Sequence, residues 1–188
     1  LTTSMPDCWY RLGTTTSTNY PYISSTQAST TGGKSLYMYN GGSGYYAIAI
    51  TPRIADEIEM DSLLISFYTY GSSTSYRLEV GIMTDPTDAT SFTTIGTIHP
   101  TITETWERNE FYTRNYVGNG HYIAFRSPIG SSNTIYLDDI NIDVIPACPH
   151  VENLMIASVD NATATFTWEA GSTESSWEVV VLPAGPVD

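Results

Sequence analysis

The run Ile135-Tyr136-Leu137-Asp138-Asp139-Ile140-Asn141-Ile142-Asp143-Val144-Ile145 constrains the fold more than any other stretch. It is the longest strand-like segment, and its apolar parity changes in the middle. Ile135 and Leu137 fall on odd positions; Ile140, Ile142 and Val144 fall on even ones. A regular strand cannot make that change, because a one-residue slip turns every side chain to the other face. A β-bulge at Asp138-Asp139 resolves it by adding one residue and re-aiming its neighbours. Tyr136 does not follow the alternation.

The rest of the chain reads as short strands between turns. Trp9-Tyr10-Arg11-Leu12 is a short strand, and Asn19-Tyr20-Pro21-Tyr22 a turn carrying two aromatics. Ser35–Tyr39 and Tyr45–Ile50 flank Asn40-Gly41-Gly42-Ser43-Gly44, a strong turn signal, and together predict a hairpin. Leu63–Tyr70 follows. Tyr76, Leu78, Val80 and Ile82 then alternate with Arg77, Glu79, Gly81 and Met83, the pattern of a half-buried strand. Phe92–Ile98, Trp106–Tyr112 and His121–Arg126 are further strands. No long helical period occurs. Eight or nine strands at this spacing predict an all-β fold, an antiparallel β-sandwich of the jelly-roll kind, over residues 1–145. Pro146-Ala147-Cys148-Pro149 reads as a linker, 146–150. From 151 to 188 the period restarts: Ala162, Ala164, Phe166 and Trp168, then Trp177, Val179 and Val181. These are two strands of a second β-domain, too few for a complete immunoglobulin-like sandwich. The whole is expected to be part of a longer exported protein.

The formal net charge is −13, and Lys34 is the single lysine. Such a surface repels phosphates, which argues against nucleic acid and anionic membranes as partners. No stretch has the length of a membrane span or the make-up of a signal peptide. Cys8 and Cys148 are the two cysteines. They can pair with each other or with cysteines outside this sequence, and no cysteine–histidine cluster has zinc spacing.

Asp138 and Asp139 are the first candidates for a site. Calcium takes six to eight oxygens from carboxylates, backbone carbonyls and water, and a bulge frees carbonyls. Asp7 joins them if the terminal strands are neighbours. The alternative is that one aspartate caps backbone N–H groups or pairs with Arg126 while the other faces water. Glycoside hydrolysis needs two carboxyls straddling a sugar, which adjacent residues do not usually provide; Glu79, on the outward face of its strand, is the residue that could complete such a pair. Ser43 lacks the glycine after it that a nucleophile elbow requires, because residue 45 is Tyr. His99, His121 and His150 are isolated and read as structural. Tyr20, Tyr22, Tyr45, Tyr46, Trp106 and Tyr116 lie in or beside turns. Aromatic faces there can stack on sugars or on a protein partner, or can pack loop bases and sheet faces. Trp168 and Trp177 are expected in the core of the second domain.

Six blocks occur in order: Met5-Pro6-Asp7-Cys8-Trp9, Lys34-Ser35-Leu36-Tyr37, Leu64-Ile65-Ser66-Phe67, Leu78 to Pro86, Tyr122-Ile123-Ala124-Phe125-Arg126 and Tyr136-Leu137-Asp138-Asp139-Ile140. Residues 1 to about 145 resemble the cleaved-adhesin or MAM-like jelly-roll domain of Bacteroidota surface proteins, including the adhesin regions attached to gingipain-type proteases. Thr167-Trp168 followed by Trp177-Glu178-Val179 resembles the first half of a fibronectin type III domain. The resemblance implies a secreted, non-catalytic domain of a modular cell-surface protein that contacts glycan or host protein, with structural calcium in several members. Two features depart from it. An upstream strand with a Phe-Glu pair is missing, and Ser127 stands where many relatives carry histidine.

Three functional classes follow: a glycan- or protein-binding adhesin module, an accessory domain of a larger surface peptidase or glycosidase, and a spacer without a ligand.

Overall fold

A computed structural model describes residues 4–14, 20–29, 33–42, 44–128, 130, 132–171 and 173–180. The chain divides into two compact units, Leu1–Val144 and Ile145–Asp188.

The first unit holds ten strands: β1 (Tyr10–Gly13), β2 (Tyr22–Ser24), β3 (Ser35–Gly41), β4 (Ala47–Ile50), β5 (Leu63–Gly71), β6 (Leu78–Met83), β7 (Phe92–Ile98), β8 (Glu107–Tyr112), β9 (Tyr122–Ser127) and β10 (Ser132–Val144). They form two antiparallel sheets, ordered β1-β4-β9-β6-β7 and β2-β3-β10-β5-β8. This is the β-sandwich that the strand spacing predicts. Alternation in β3, β5 and β10 sends Leu36, Met38, Ile65, Phe67, Ile135 and Leu137 inward. They meet Leu78, Val80 and Ile82 of β6 and Ile123 and Phe125 of β9. Phe67 and Phe125 interlock edge to face between the sheets, 5.1 Å apart. Fully burying each such side chain contributes about 1.5–3 kcal/mol.

The first sheet carries a second apolar layer on its other face. Every residue of β4 is buried. Ala49 packs into the sandwich core, whereas Ile48 and Ile50 join Met83, Phe92 and Ala124 outside it, under Leu12, Tyr46, Ala89 and Tyr122. Ala89 belongs to a 3-10 turn, Ala89–Ser91, whose N-cap Asp88 accepts the Thr90 N–H at 2.9 Å.

The hairpin expected from Ser35–Tyr39 and Tyr45–Ile50 does not form. β3 lies in one sheet and β4 in the other, so the connection is an arch. Asn40 decides this. It is fully buried, and its amide donates to the carbonyls of Tyr45 at 2.8 Å and Pro128 at 2.6 Å. Its Oδ1 accepts the Gly42 N–H at 3.0 Å. Gly42 (φ 133°) and Gly44 (φ 87°) take backbone conformations that favour glycine. β2 is also new: it occupies the end of what reads as a turn in the sequence, pairing Tyr22 with Tyr37.

The bulge expected in β10 is present. Asp138 pairs with Tyr68, but the next partners are Asn141 and Ser66, three residues against two. Asp139 takes φ 50° there. Beyond it Ile140 and Ile142 pack against the core, completing the parity change.

In the second unit β11 (Glu152–Val159) pairs with β12 (Ala164–Glu169). The tight turn between them is held by Asp160, which accepts the N–H groups of Ala162 and Thr163, both at 2.8 Å. The sequence placed a strand around Trp177, but residues 173–180 carry none; Glu152–Val159 is the strand instead. Trp177 packs edge to face on Trp168 at 5.8 Å and stays 43% exposed, so it is not a buried core residue in this unit.

Candidate functional site

Alternation that buries one face of β3, β5 and β10 puts tyrosines on the other. Tyr37 and Tyr39 oppose Leu36 and Met38; Tyr136 lies between Ile135 and Leu137; Tyr68 and Tyr70 flank Thr69. Strand register then aligns them. Tyr22 pairs with Tyr37, Tyr37 with Tyr136, and Tyr136 with Tyr70. Trp106 precedes Glu107, the partner of Thr69, and so extends the row past Tyr70. The ring centroids step across the sheet at 6.1 Å from Tyr20 to Tyr22, 4.8 Å to Tyr37, 5.1 Å to Tyr136, 6.0 Å to Tyr70 and 5.5 Å to Trp106. Tyr39 stacks beside Tyr37 at 6.1 Å. The Arg11 guanidinium lies 4.5 Å over the Tyr20 ring at the end of the row.

This row runs across β2, β3, β10 and β5 to the start of β8, roughly 19 Å at the usual strand spacing. All six rings are half-buried. Pairs of this kind add about 0.5–1.5 kcal/mol each beyond the area they bury. Burial pushes the Tyr37 hydroxyl up to about 12, with Tyr22 and Tyr136 adding to the shift and a hydrogen bond with Thr134 opposing it. Burial raises Tyr136 and Tyr22 as well, helped by neighbouring phenols. The hydroxyls are therefore neutral at physiological pH and can both donate and accept.

Asp138 follows Tyr136 on the same strand face. Its Oδ2 accepts from the Ser29 N–H at 2.8 Å and lies 2.9 Å from Ser29 Oγ; its Oδ1 accepts the Asp139 N–H at 2.9 Å. Asp139 Oδ2 lies 2.7 Å from the same hydroxyl. Asp138 thus caps backbone N–H groups, and Arg126 pairs elsewhere, with Glu79 at 2.6 Å. The pair borders a shallow cleft of about 130 Å³ shared with Pro6, Trp9 and Lys34. Asp7 is exposed beside Pro6. Two carboxylates and one hydroxyl would need backbone carbonyls and water to complete the six to eight oxygens that calcium takes. Among the described residues, no three His, Cys, Asp or Glu side chains come together to hold a metal.

The remaining candidates are scattered. Tyr20 and Tyr22 lie in the aromatic row. Tyr45 is 38% exposed beside the β3–β4 arch. Tyr46 borders a cavity on the outer face of the first sheet. The Tyr116 hydroxyl accepts the Gly120 N–H at 2.9 Å, and its ring borders a separate cleft with Thr93, Tyr112 and Asn115. Cys8 and Cys148 are exposed free thiols, one in each unit. Glu79 and Asp138 belong to opposite sheets, so they do not flank a common substrate. Sequence reasoning missed Tyr37, Tyr70 and Tyr136. Their signal was tyrosine at outward positions of three alternating strands: Tyr37 and Tyr39 in β3, Tyr68 and Tyr70 in β5, and Tyr136 in β10.

No helix among the described residues is long and apolar enough to cross a membrane. No family model matches the chain, and no curated protein matches it in sequence. Solved structures do match in fold. The K1 cleaved adhesin domain of Lys-gingipain from Porphyromonas gingivalis aligns at 18% identity and TM-score 0.56, over 74% of this chain and 92% of its own. The K2 cleaved adhesin domain of Lys-gingipain aligns at 15% identity and TM-score 0.58, over 74% and 91%. The family 30 carbohydrate-binding module of a cellulosomal cellulase from Clostridium thermocellum aligns at 13% identity and TM-score 0.50, over 66% and 82%. The chain therefore shares its sandwich fold with cleaved adhesin domains and with a carbohydrate-binding module.

Proposed function

We propose that the first unit is a non-catalytic binding module of an extracellular, surface-displayed protein, and that its ligand is a glycan lying across the aromatic row. The observation that carries this reading is the continuous line from Tyr20 through Tyr22, Tyr37, Tyr136 and Tyr70 to Trp106. Ring faces suit the C–H faces of successive sugar units, and neutral phenols supply hydrogen bonds at the edges. A long row across a sheet suits an extended chain better than a single small molecule, which prefers a concave pocket. The fold shared with adhesin and carbohydrate-binding domains is consistent with this role. The acidic surface suits exposure to solvent and disfavours polyanionic ligands.

The test is an array of glycans and extracellular-matrix proteins probed with the full chain. Binding to neutral oligosaccharides is expected. Signal confined to matrix proteins would move the ligand to protein, and a folded protein silent on every glycan would remove this reading.

A further inference from the structure

The outer face of the first sheet carries a cavity of about 450 Å³, remote in the fold from the aromatic row, which lies on the other sheet. Register builds its floor. Ile48 pairs with Arg126, and Arg126 with Glu79, so these three residues form one row across β4, β9 and β6. Tyr46 and Pro128 stand at one end of those strands, and Ala89 and Thr90 overhang from the 3-10 turn.

The polar part of the floor is held in place by three stacked layers. Gly81 has no side chain, and the Phe92 ring lies over it where a Cβ would stand. The Arg126 guanidinium lies 4.0 Å over that ring. Arg126 Nε donates to Glu79 Oε2 at 2.6 Å, while Nη2 reaches Thr94 Oγ1 only at 3.5 Å. Among the described residues, Arg126 Nη1 and Glu79 Oε1 make no hydrogen bond. A donor edge and an acceptor oxygen therefore stand side by side, pre-positioned, inside an otherwise apolar cavity. Tyr46 is fixed too: its N–H donates to Thr14 Oγ1 at 2.8 Å, and its carbonyl accepts the Thr14 N–H at 3.2 Å.

We propose that this cavity is a second ligand site, taking one neutral sugar residue. The site binds through vicinal hydroxyls: one accepts from Arg126, and its neighbour donates to Glu79. The sugar's apolar face rests on Tyr46 and Ile48. Three properties select this chemistry. The ion pair is neutral as a unit, and the chain is strongly acidic, so an anionic ligand gains no net attraction. A wholly apolar ligand would strip water from Nη1 and Oε1 and leave both unpaired. The concave shape and volume suit a single residue, in contrast to the long row of rings on the other sheet. The proposal goes beyond the function argued above and does not depend on it.

The test is protein NMR on the full chain, titrated with neutral methyl glycosides and, separately, with glucuronate. Neutral glycosides should move the Arg126 Nε–H signal and the amides of Ile48, Glu79 and Thr90. Glu79→Gln keeps the volume and should weaken that response about tenfold, as losing a charged hydrogen bond does. Thr90→Trp, which blocks the mouth, should abolish it. A thermal melt checks that each variant folds, and Glu79→Gln reports even if Thr90→Trp does not. Tyr136→Ala on the other sheet should leave the response unchanged. The proposal is overturned if no neutral glycoside moves these signals at millimolar concentration. It is also overturned if glucuronate binds and neutral glycosides do not, or if the response survives both cavity variants.

Discussion

Tyr37 and Tyr136 face each other across the β3–β10 ladder, ring centroids 5.1 Å apart and tilted at 57°. They stand at the centre of the aromatic row, with Tyr22 beyond one and Tyr70 beyond the other. Both hydroxyls are shifted upward mainly by burial. That shift has a measurable consequence.

An acid whose folded pKa exceeds its unfolded value holds its proton more tightly when folded. The stabilisation is complete below the unfolded pKa and is lost as pH rises through the folded one. For Tyr37 the window runs from the ordinary 10.0 up to about 12. Stability should fall across that window by roughly 1 kcal/mol, after discounting for solvent screening of a half-exposed group. Ultraviolet titration should show a late-ionising tyrosine that disappears in Tyr37→Phe. An unchanged titration curve in that variant would contradict the assignment.

The buried amide of Asn40 fixes the arch between the sheets with three hydrogen bonds. Asn40→Ala leaves the Tyr45 and Pro128 carbonyls and the Gly42 N–H without their partner. Urea denaturation should register a loss of about 2–4 kcal/mol. A loss within experimental error would mean that the glycines alone make the arch.

Gly81→Ala should destabilise by about 1–3 kcal/mol, because its Cβ runs into the Phe92 ring and lies 2.6 Å from the Thr93 carbonyl. Displacing Phe92 also removes the support under Arg126. The Arg126 Nε–H signal should therefore move as the melting temperature drops. A drop without that movement would separate the stack from the cavity.

Asp138 is committed to the N–H groups of Ser29 and Asp139. Asp138→Ala should cost about 1–3 kcal/mol by leaving those donors unpaired. A melt that rises with calcium would give the pair the metal role that its sequence suggests, because a ligand bound only by the native state raises stability.

The bulge in β10 was legible because parity is a property of one strand: a bulge is the simplest repair for Ile135 and Leu137 against Ile140 and Ile142. Tyr136 looked like an exception only because an aromatic on the outer face mimics an apolar residue. The aromatic row was half legible. Tyr37, Tyr68 and Tyr70 visibly alternate with buried residues. Their alignment, however, depends on β10 entering between β3 and β5, which no local pattern encodes. The β3–β4 arch was misread because glycine and asparagine are the residues of a tight hairpin as well as of an arch; the burial of Asn40 separates the two. Ser29 lies 109 residues from Asp138, so nothing around the aspartates points to it.

The aromatic row as a glycan platform is the central claim, and calorimetric titration with the neutral oligosaccharide that scores highest on the array tests it most directly. Compare wild type with Tyr37→Ala and Tyr136→Ala, each verified as folded by its melt. Each substitution should weaken binding about tenfold, the worth of one lost ring contact. Unchanged affinity in both variants would contradict the account.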